Sequence, residues 1–135
     1  MEVKMLILLK HDTKKYAYDT KSGAAVPLSS LQYKVAENVD LPLKPVCPTT
    51  LRYQLAKYDS GDVKRAYDYI FRLYESKIIN EETGTPVNLL LSGEHSIASA
   101  ELAKVIIEAV RERIGDVKID IIGESDISEE IKSYL

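Results

Sequence analysis

The stretch Val87-Asn88-Leu89-Leu90-Leu91-Ser92-Gly93-Glu94-His95-Ser96-Ile97-Ala98-Ser99 carries three signals in thirteen residues: an apolar run, a short Ser/Gly/His loop and the opening of a strongly periodic helix. A strand that turns tightly into a helix leaves the helix's first N–H groups without partners and aimed at one spot. A phosphate or other anion can sit there without any special side chain. Downstream, Ala98, Leu102, Val105, Ile106, Ala109 and Val110 fall on one face, which predicts a helix over 97–114 with a buried stripe. Gly115 stands where a C-cap is expected. Val117–Ile122 reads as a second strand. Asp126 with Glu129 has the spacing of a capping box for a short last helix that buries Ile127, Ile131 and Leu135.

Upstream, Val63, Ala66, Tyr67, Ile70, Leu73 and Tyr74 predict an amphipathic helix over 62–77, with N-cap chemistry in Asp59-Ser60-Gly61-Asp62. A strand–helix–strand crossover is right-handed, so the strands at 87–91 and 117–122 should be parallel. Val3–Leu9 reads as a buried strand, His11–Lys15 as a turn and Tyr16–Asp19 as a short strand. The turn Thr20–Gly23 then leads into Ala24–Pro27, a hairpin pattern in which Pro27 demands an edge. Leu31–Val39 fits either strand or helix. Leu41–Pro48 holds Pro42, Pro45 and Pro48 and must be extended, as a covering loop or the lip of a cleft. The expectation is a single α/β domain over residues 1–135, a Rossmann-like layered fold with a mainly parallel sheet and an N-terminal hairpin. Its buried residues should include Leu6, Leu8, Ile70, Leu89, Leu91, Leu102, Ile106, Ile119 and Ile121.

The chain has 135 residues, 45% hydrophobic and 29% charged, with a formal net charge of -3. That balance argues against a dedicated duplex-DNA binder, which carries a basic excess. No run approaches the ~18 apolar residues of a membrane span. The apolar start is too short for a signal sequence and has no small-residue cleavage site. Cys47 is the one cysteine, so no disulfide can form within the chain, and a reducing, cytoplasmic setting is expected. Abundant Glu, Lys and Ile with few Gln fit a thermophilic source.

The chemistry-bearing residues gather at the loop after residue 91. Gly93 permits close backbone approach, while Ser92, Ser96 and Ser99 can donate to an anion. His95 is the candidate acid–base residue. His11 follows the first strand and would share this edge if that strand ran parallel to 87–91. The plainer alternatives are that Ser96 only caps the helix, Gly93 only turns the chain and His11 is a solvated turn residue. Two isolated histidines and one cysteine do not supply a metal site, and none is expected. The loop lacks a P-loop lysine and the GxGxxG spacing, and no cofactor is expected. Asp59, Asp62 and Asp68 read as caps and a solvated face.

Two segments together resemble CRISPR-associated Rossmann fold domains. They are the capped helix at 59–74, reading Asp-x-x-Asp-Val-x-x-Ala-Tyr-x-Tyr-Ile from Asp59, and Val87 to Ser96 with the helix after it. The resemblance covers roughly residues 59–122. Ser92-Gly93 stands at the family's Thr-Gly pair, Glu94 replaces its second Gly, and His95-Ser96 replaces Thr-Lys. The hairpin of the first half departs from the family's strand, Gly-containing loop and long helix. The resemblance implies a homodimer that binds cyclic oligoadenylates at a shared cleft, some such domains also cleaving them as ring nucleases. The expected function is therefore a small domain binding an anionic small molecule or cyclic oligonucleotide. The rival is a non-enzymatic adaptor using the Pro-rich segment and the Tyr-bearing helix as an interface.

Overall fold

The computed structural model describes residues 6–81 and 86–135. Three short strands form an antiparallel meander in sequence order: β1 (Ile7–His11), β2 (Lys14–Tyr18) and β3 (Ala25–Leu28). Asp12 and Thr13 join the first two with φ of 50° and 66°, the pair of left-handed residues that a two-residue type I′ turn requires. The register sets Ile7 against Tyr18 and His11 against Lys14. Pro27 lies on β3, an edge strand, where its missing N–H breaks no ladder. The strand expected over 3–9 runs instead over 7–11, and residues 3–5 lie outside the described residues.

Side chains alternate across this meander with the period of two that a strand imposes. Leu8, Ala17, Val26 and Leu28 point to one hydrophobic cluster, and Ile7, Leu9, Tyr16, Tyr18 and Ala25 to another. The first cluster is closed by α1 (Ser30–Glu37), α2 (Thr49–Gln54) and α3 (Ser60–Glu75). A capping box between Ser29 and Gln32 resolves the ambiguous 31–39 segment as helix. Asp59 caps α3 by accepting from the Asp62 amide, and Val63, Ala66, Tyr67, Ile70 and Leu73 form its buried face. Leu6 and Leu8, expected in the core, are only half-buried, because they border a cavity of about 200 Å³ beside residues 39–43.

The second cluster is closed by β4 (Val87–Leu90), α4 (Ala100–Arg113), β5 (Ile119–Ile122) and α5 (Ser128–Tyr134). β4 and β5 are parallel, with Val87 opposite Ile119 and Leu90 opposite Ile122. Gly115 ends α4 as expected, at φ 108° with its N–H donating to the Val110 carbonyl. The Asp126–Glu129 box does not form. Instead the Ser128 hydroxyl accepts from the Ser125 amide, and α5 buries Ile131 while Leu135 stays exposed. Ile119 and Ile121 are half-buried rather than buried, since β5 has β4 on one side only.

The fold is thus mixed α/β, but its sheet is not mainly parallel. Among the described residues five strands lie in two sheets, and two of the three ladders are antiparallel. A turn occupies the flank of β4 where a further parallel strand was expected. The Asn88 amide donates to Thr20 O at 2.8 Å and the Leu90 amide to Gly23 O at 3.0 Å. Tyr18 Oη donates to Asn88 O. A Cβ on Gly23 would lie 2.8 Å from Leu90 N and 3.0 Å from Asn88 O, and φ there is 78°. Asp19 inside the turn is 1% exposed. Its carboxylate accepts from the Ser22 amide at 2.8 Å and from Asn80 N and Nδ2, both at 2.9 Å.

Gly23→Ala should cost about 3 kcal/mol, combining left-handed backbone strain with overpacking against backbone atoms that cannot yield. Urea denaturation measures it, and a loss under about 1 kcal/mol would contradict the contact with β4. Tyr18 supplies a second test. Burial, helped by the neighbouring Asp19 carboxylate, holds its phenol well above the usual 10.0. The unfolded chain ionises Tyr18 near ~10 and the folded one does not, so this contribution is whole below that pH and falls as pH rises past it. Tyr18→Phe should therefore flatten the fall in urea midpoint above pH ~10; identical slopes would mean that Tyr18 titrates alike in both states.

Candidate functional site

β4 delivers the chain to the loop through Leu91, which is 2% exposed and extends the ladder by donating to Ile122 O at 2.9 Å. The loop closes when the Ile97 amide donates to Leu90 O at 2.8 Å, with Ile97 itself buried. The His95 carbonyl accepts from the Ala25 amide at 3.0 Å, tying the loop to the start of β3. Between these anchors Gly93 and His95 have φ of 93° and 63°, while Glu94 between them stays in ordinary backbone space. Among the described residues, the amides of Gly93, Glu94 and His95 have no protein acceptor. Ser92 packs on the neighbouring loop after β5. A Cβ on Gly123 would lie 2.0 Å from Ser92 Oγ, so Gly123 lets the two loops abut.

α4 begins at Ala100, three residues later than expected. Ser99 is its N-cap, accepting from the Leu102 amide at 3.1 Å, and Ser96 is not a cap. Pairing of Ile97 with Leu90 holds this segment outside the helix. The Ser92–Ser96 loop is therefore a separate backbone feature rather than the helix N-terminus itself. Ser99 lies at that N-terminus with its hydroxyl already engaged.

The structure gathers Ser92, Gly93, His95 and Ser96 in one loop and leaves His11 out. His11 ends β1 opposite Lys14, whereas the His95 carbonyl meets Ala25 near the Ile7–Tyr18 end of the same sheet. Four residues of strand separate those ends, about 13 Å at ~3.3 Å per residue. Among the described residues β1 pairs with β2 and shares no ladder with β4, so nothing brings the end of β1 beside the loop. The His95 side chain is 21% exposed, with Nε2 3.8 Å from the Glu94 carboxylate, which is 89% exposed.

The loop and the neighbouring loop after β5 carry exposed carboxylates, Glu94, Glu124 and Asp126, and no Lys or Arg at 92–99 or 123–127. Magnitudes decide what this means for an anion. An exposed like charge costs about 0.2–1 kcal/mol, whereas each amide donating to a charged acceptor contributes about 1.5–3 kcal/mol. Three open amides outweigh three screened carboxylates, and the balance worsens as ligand charge grows.

Residues 41–48 do not cover this loop. Leu41, Leu43 and Cys47 pack into the first cluster, and α2 follows directly from Pro48. Behind them lies a cavity of about 310 Å³ with Leu43, Leu51 and Tyr67 among its walls, so the Pro-rich segment is the lip of a cleft. Helical periodicity marked Tyr67 only as a core residue; nothing local signalled its part in that wall. Among the described residues no three His, Cys, Asp or Glu side chains are grouped to hold a metal. No helix among them is long and apolar enough to cross a membrane. No family model, curated protein or solved structure matches the chain.

Ser99→Ala should destabilise by about 1 kcal/mol through loss of the cap, and Ser96→Ala by less than about 0.5 kcal/mol. Thermal denaturation of the two variants checks the order; the reverse order would return the cap to Ser96.

Proposed function

We propose that this chain is a small ligand-binding α/β domain whose Ser92–Ser96 loop holds an anion. The observation that carries this reading is the run of three amides without acceptors, at Gly93, Glu94 and His95, on a loop whose φ changes sign at each step. Successive N–H groups in such a turn converge into an anion-binding concavity. The loop also lies beyond the carboxyl end of a parallel strand pair, where α/β sheets bind ligands. The strand–helix–strand unit from β4 to β5 is the Rossmann-like part of the chain. Ser92 and Ser96 supply flanking hydroxyls and His95 an imidazole.

The resemblance to CRISPR-associated Rossmann fold domains supports a nucleotide or cyclic oligonucleotide as the anion, bound by a homodimer in the cytoplasm. The acidic surroundings favour a ligand that presents one phosphate at a time. In this reading His95 either orients the phosphate or acts as the acid in phosphodiester cleavage, and turnover separates the two.

NMR titration of the labelled protein with inorganic phosphate, AMP and a cyclic oligoadenylate tests the proposal. The amide resonances of residues 93–95 should move first. Glu94→Gln should tighten phosphate binding by about two- to five-fold, as expected for removing one exposed like charge. His95→Ala should weaken binding by about ten-fold if it only donates a hydrogen bond. In a cleavage role it should lower turnover about 100-fold at unchanged affinity. Unmoved amides at tens of millimolar phosphate would overturn the site. The adaptor reading has an observation of its own: Val46 and Tyr53 are 74% and 78% exposed on either side of Pro48. A partner protein lost from Val46→Ser and Tyr53→Ser variants, with phosphate binding absent, would favour it.

A further inference from the structure

The cavity behind the Pro-rich lip is independent of the Ser92–Ser96 loop, and its chemistry differs. It is about 310 Å³, at the small end of the ~300–1,000 Å³ range of ligand pockets. Its floor is apolar: Leu43, Leu51 and Tyr67 are 7%, 1% and 1% exposed, and Val39 is half-buried. Its rim is polar and exposed, and carries one charge of each sign, Asp40 and Lys44. Neither makes an ion pair among the described residues, although ion pairs are formed elsewhere on the surface. Asn38 on the same rim spends its Nδ2 on Lys34 O, which leaves its carbonyl oxygen to accept.

The wall is held before any ligand arrives. Tyr67 Oη donates to Lys44 O at 2.5 Å and accepts from the Lys44 amide at 3.1 Å, so one buried phenol grips the lip by both backbone groups. Pro42 and Pro48 in the same wall restrict the backbone further. A cavity ordered in advance loses less entropy on binding than one that must assemble.

From this combination we infer that the cavity is a binding site for a small zwitterion with an apolar body, of which an apolar α-amino acid is the simplest case. The ammonium group faces Asp40 and the Asn38 carbonyl, the carboxylate faces Lys44, and the apolar side chain lies on Val39, Leu43 and Leu51. A dianion would gain one lysine and meet one aspartate, so the rim's cancelling charges select against it. A purely apolar molecule would fit the floor and leave both rim charges unused.

L-Leucine, N-acetyl-L-leucine and L-leucine methyl ester distinguish the rim contacts, because the second lacks the ammonium and the third the carboxylate. NMR titration of the whole chain should move resonances of Val39, Leu43, Leu51 and Tyr67 with L-leucine. Each blocked form should bind about two- to five-fold more weakly, the scale of an exposed ion pair. Asp40→Asn should weaken L-leucine and the ester but leave N-acetyl-L-leucine unchanged. Lys44→Met should weaken L-leucine and the N-acetyl form but leave the ester unchanged; it keeps the backbone groups that Tyr67 holds. Both sites are exposed, so both variants should keep the wild-type urea midpoint. No shift at the cavity residues with tens of millimolar L-leucine, or equal affinity for all three compounds, would overturn the inference. Phosphate reads different resonances, at 93–95, so either site can fail without the other.

Discussion

The turn from Asp19 to Gly23, laid against β4, is the contact on which the rest of the structure depends. It joins the antiparallel meander to the parallel pair through two backbone hydrogen bonds, to Asn88 and Leu90. Close approach is possible only because Gly23 lacks a Cβ. It is also conditional on Asp19, whose buried carboxylate would cost several kcal/mol if left without donors. Ser22 and Asn80 provide them, and no cation is needed. Because the turn fixes β4 beside β3, the loop after β4 arrives where the His95 carbonyl can meet the Ala25 amide. The position of the candidate anion loop is thus set by packing on the far side of the strand that carries it.

The meander separates two apolar clusters, and the two candidate sites fall one to each side. The loop at 92–96 belongs to the β4–α4–β5 half, where Glu94, Glu124 and Asp126 oppose an anion and the open backbone amides are the candidate attraction. The cavity belongs to the α1–α2–α3 half, where an apolar floor does the binding and rim charges set the orientation. These are different physical strategies. Amide donors discriminate by the presence of negative charge and a short approach, whereas a floor of Leu43, Leu51 and Tyr67 discriminates by shape and apolar area.

Backbone strain is concentrated where the chain changes role. Asp12 and Thr13 occupy the left-handed region because a two-residue hairpin demands it. His95 occupies it within a loop held at Leu90 and Ala25, and a non-glycine residue in that region costs about 1–2 kcal/mol. That cost is sustained by burial of Leu91 and Ile97 on either side. Strain of this kind, over-determined by its surroundings, is a feature of ligand-contacting loops as well as of turns.

Local pattern was sufficient wherever one element answers to its own residues. The spacing of Val63, Ala66, Tyr67, Ile70 and Leu73 specifies α3, Gly115 ends α4, Pro27 marks an edge strand, and the apolar runs at 87–91 and 117–122 pair in parallel as their crossover requires. The gathering of Ser92, Gly93, His95 and Ser96 was legible for the same reason, since the four are consecutive or nearly so. Long-range contacts decided the remainder. Ile97 could continue the helix by propensity, but its amide is claimed by Leu90, which moves the cap to Ser99. His11 and His95 look equivalent as histidines after apolar runs, yet strand pairing sends one to each end of the meander. A turn rather than a strand flanks β4, because Gly23 can approach a backbone that any larger residue would strike. The cavity draws on the turn after α1, the Pro-rich segment, α2 and α3 together, and no periodicity in any one of them encodes a wall they share.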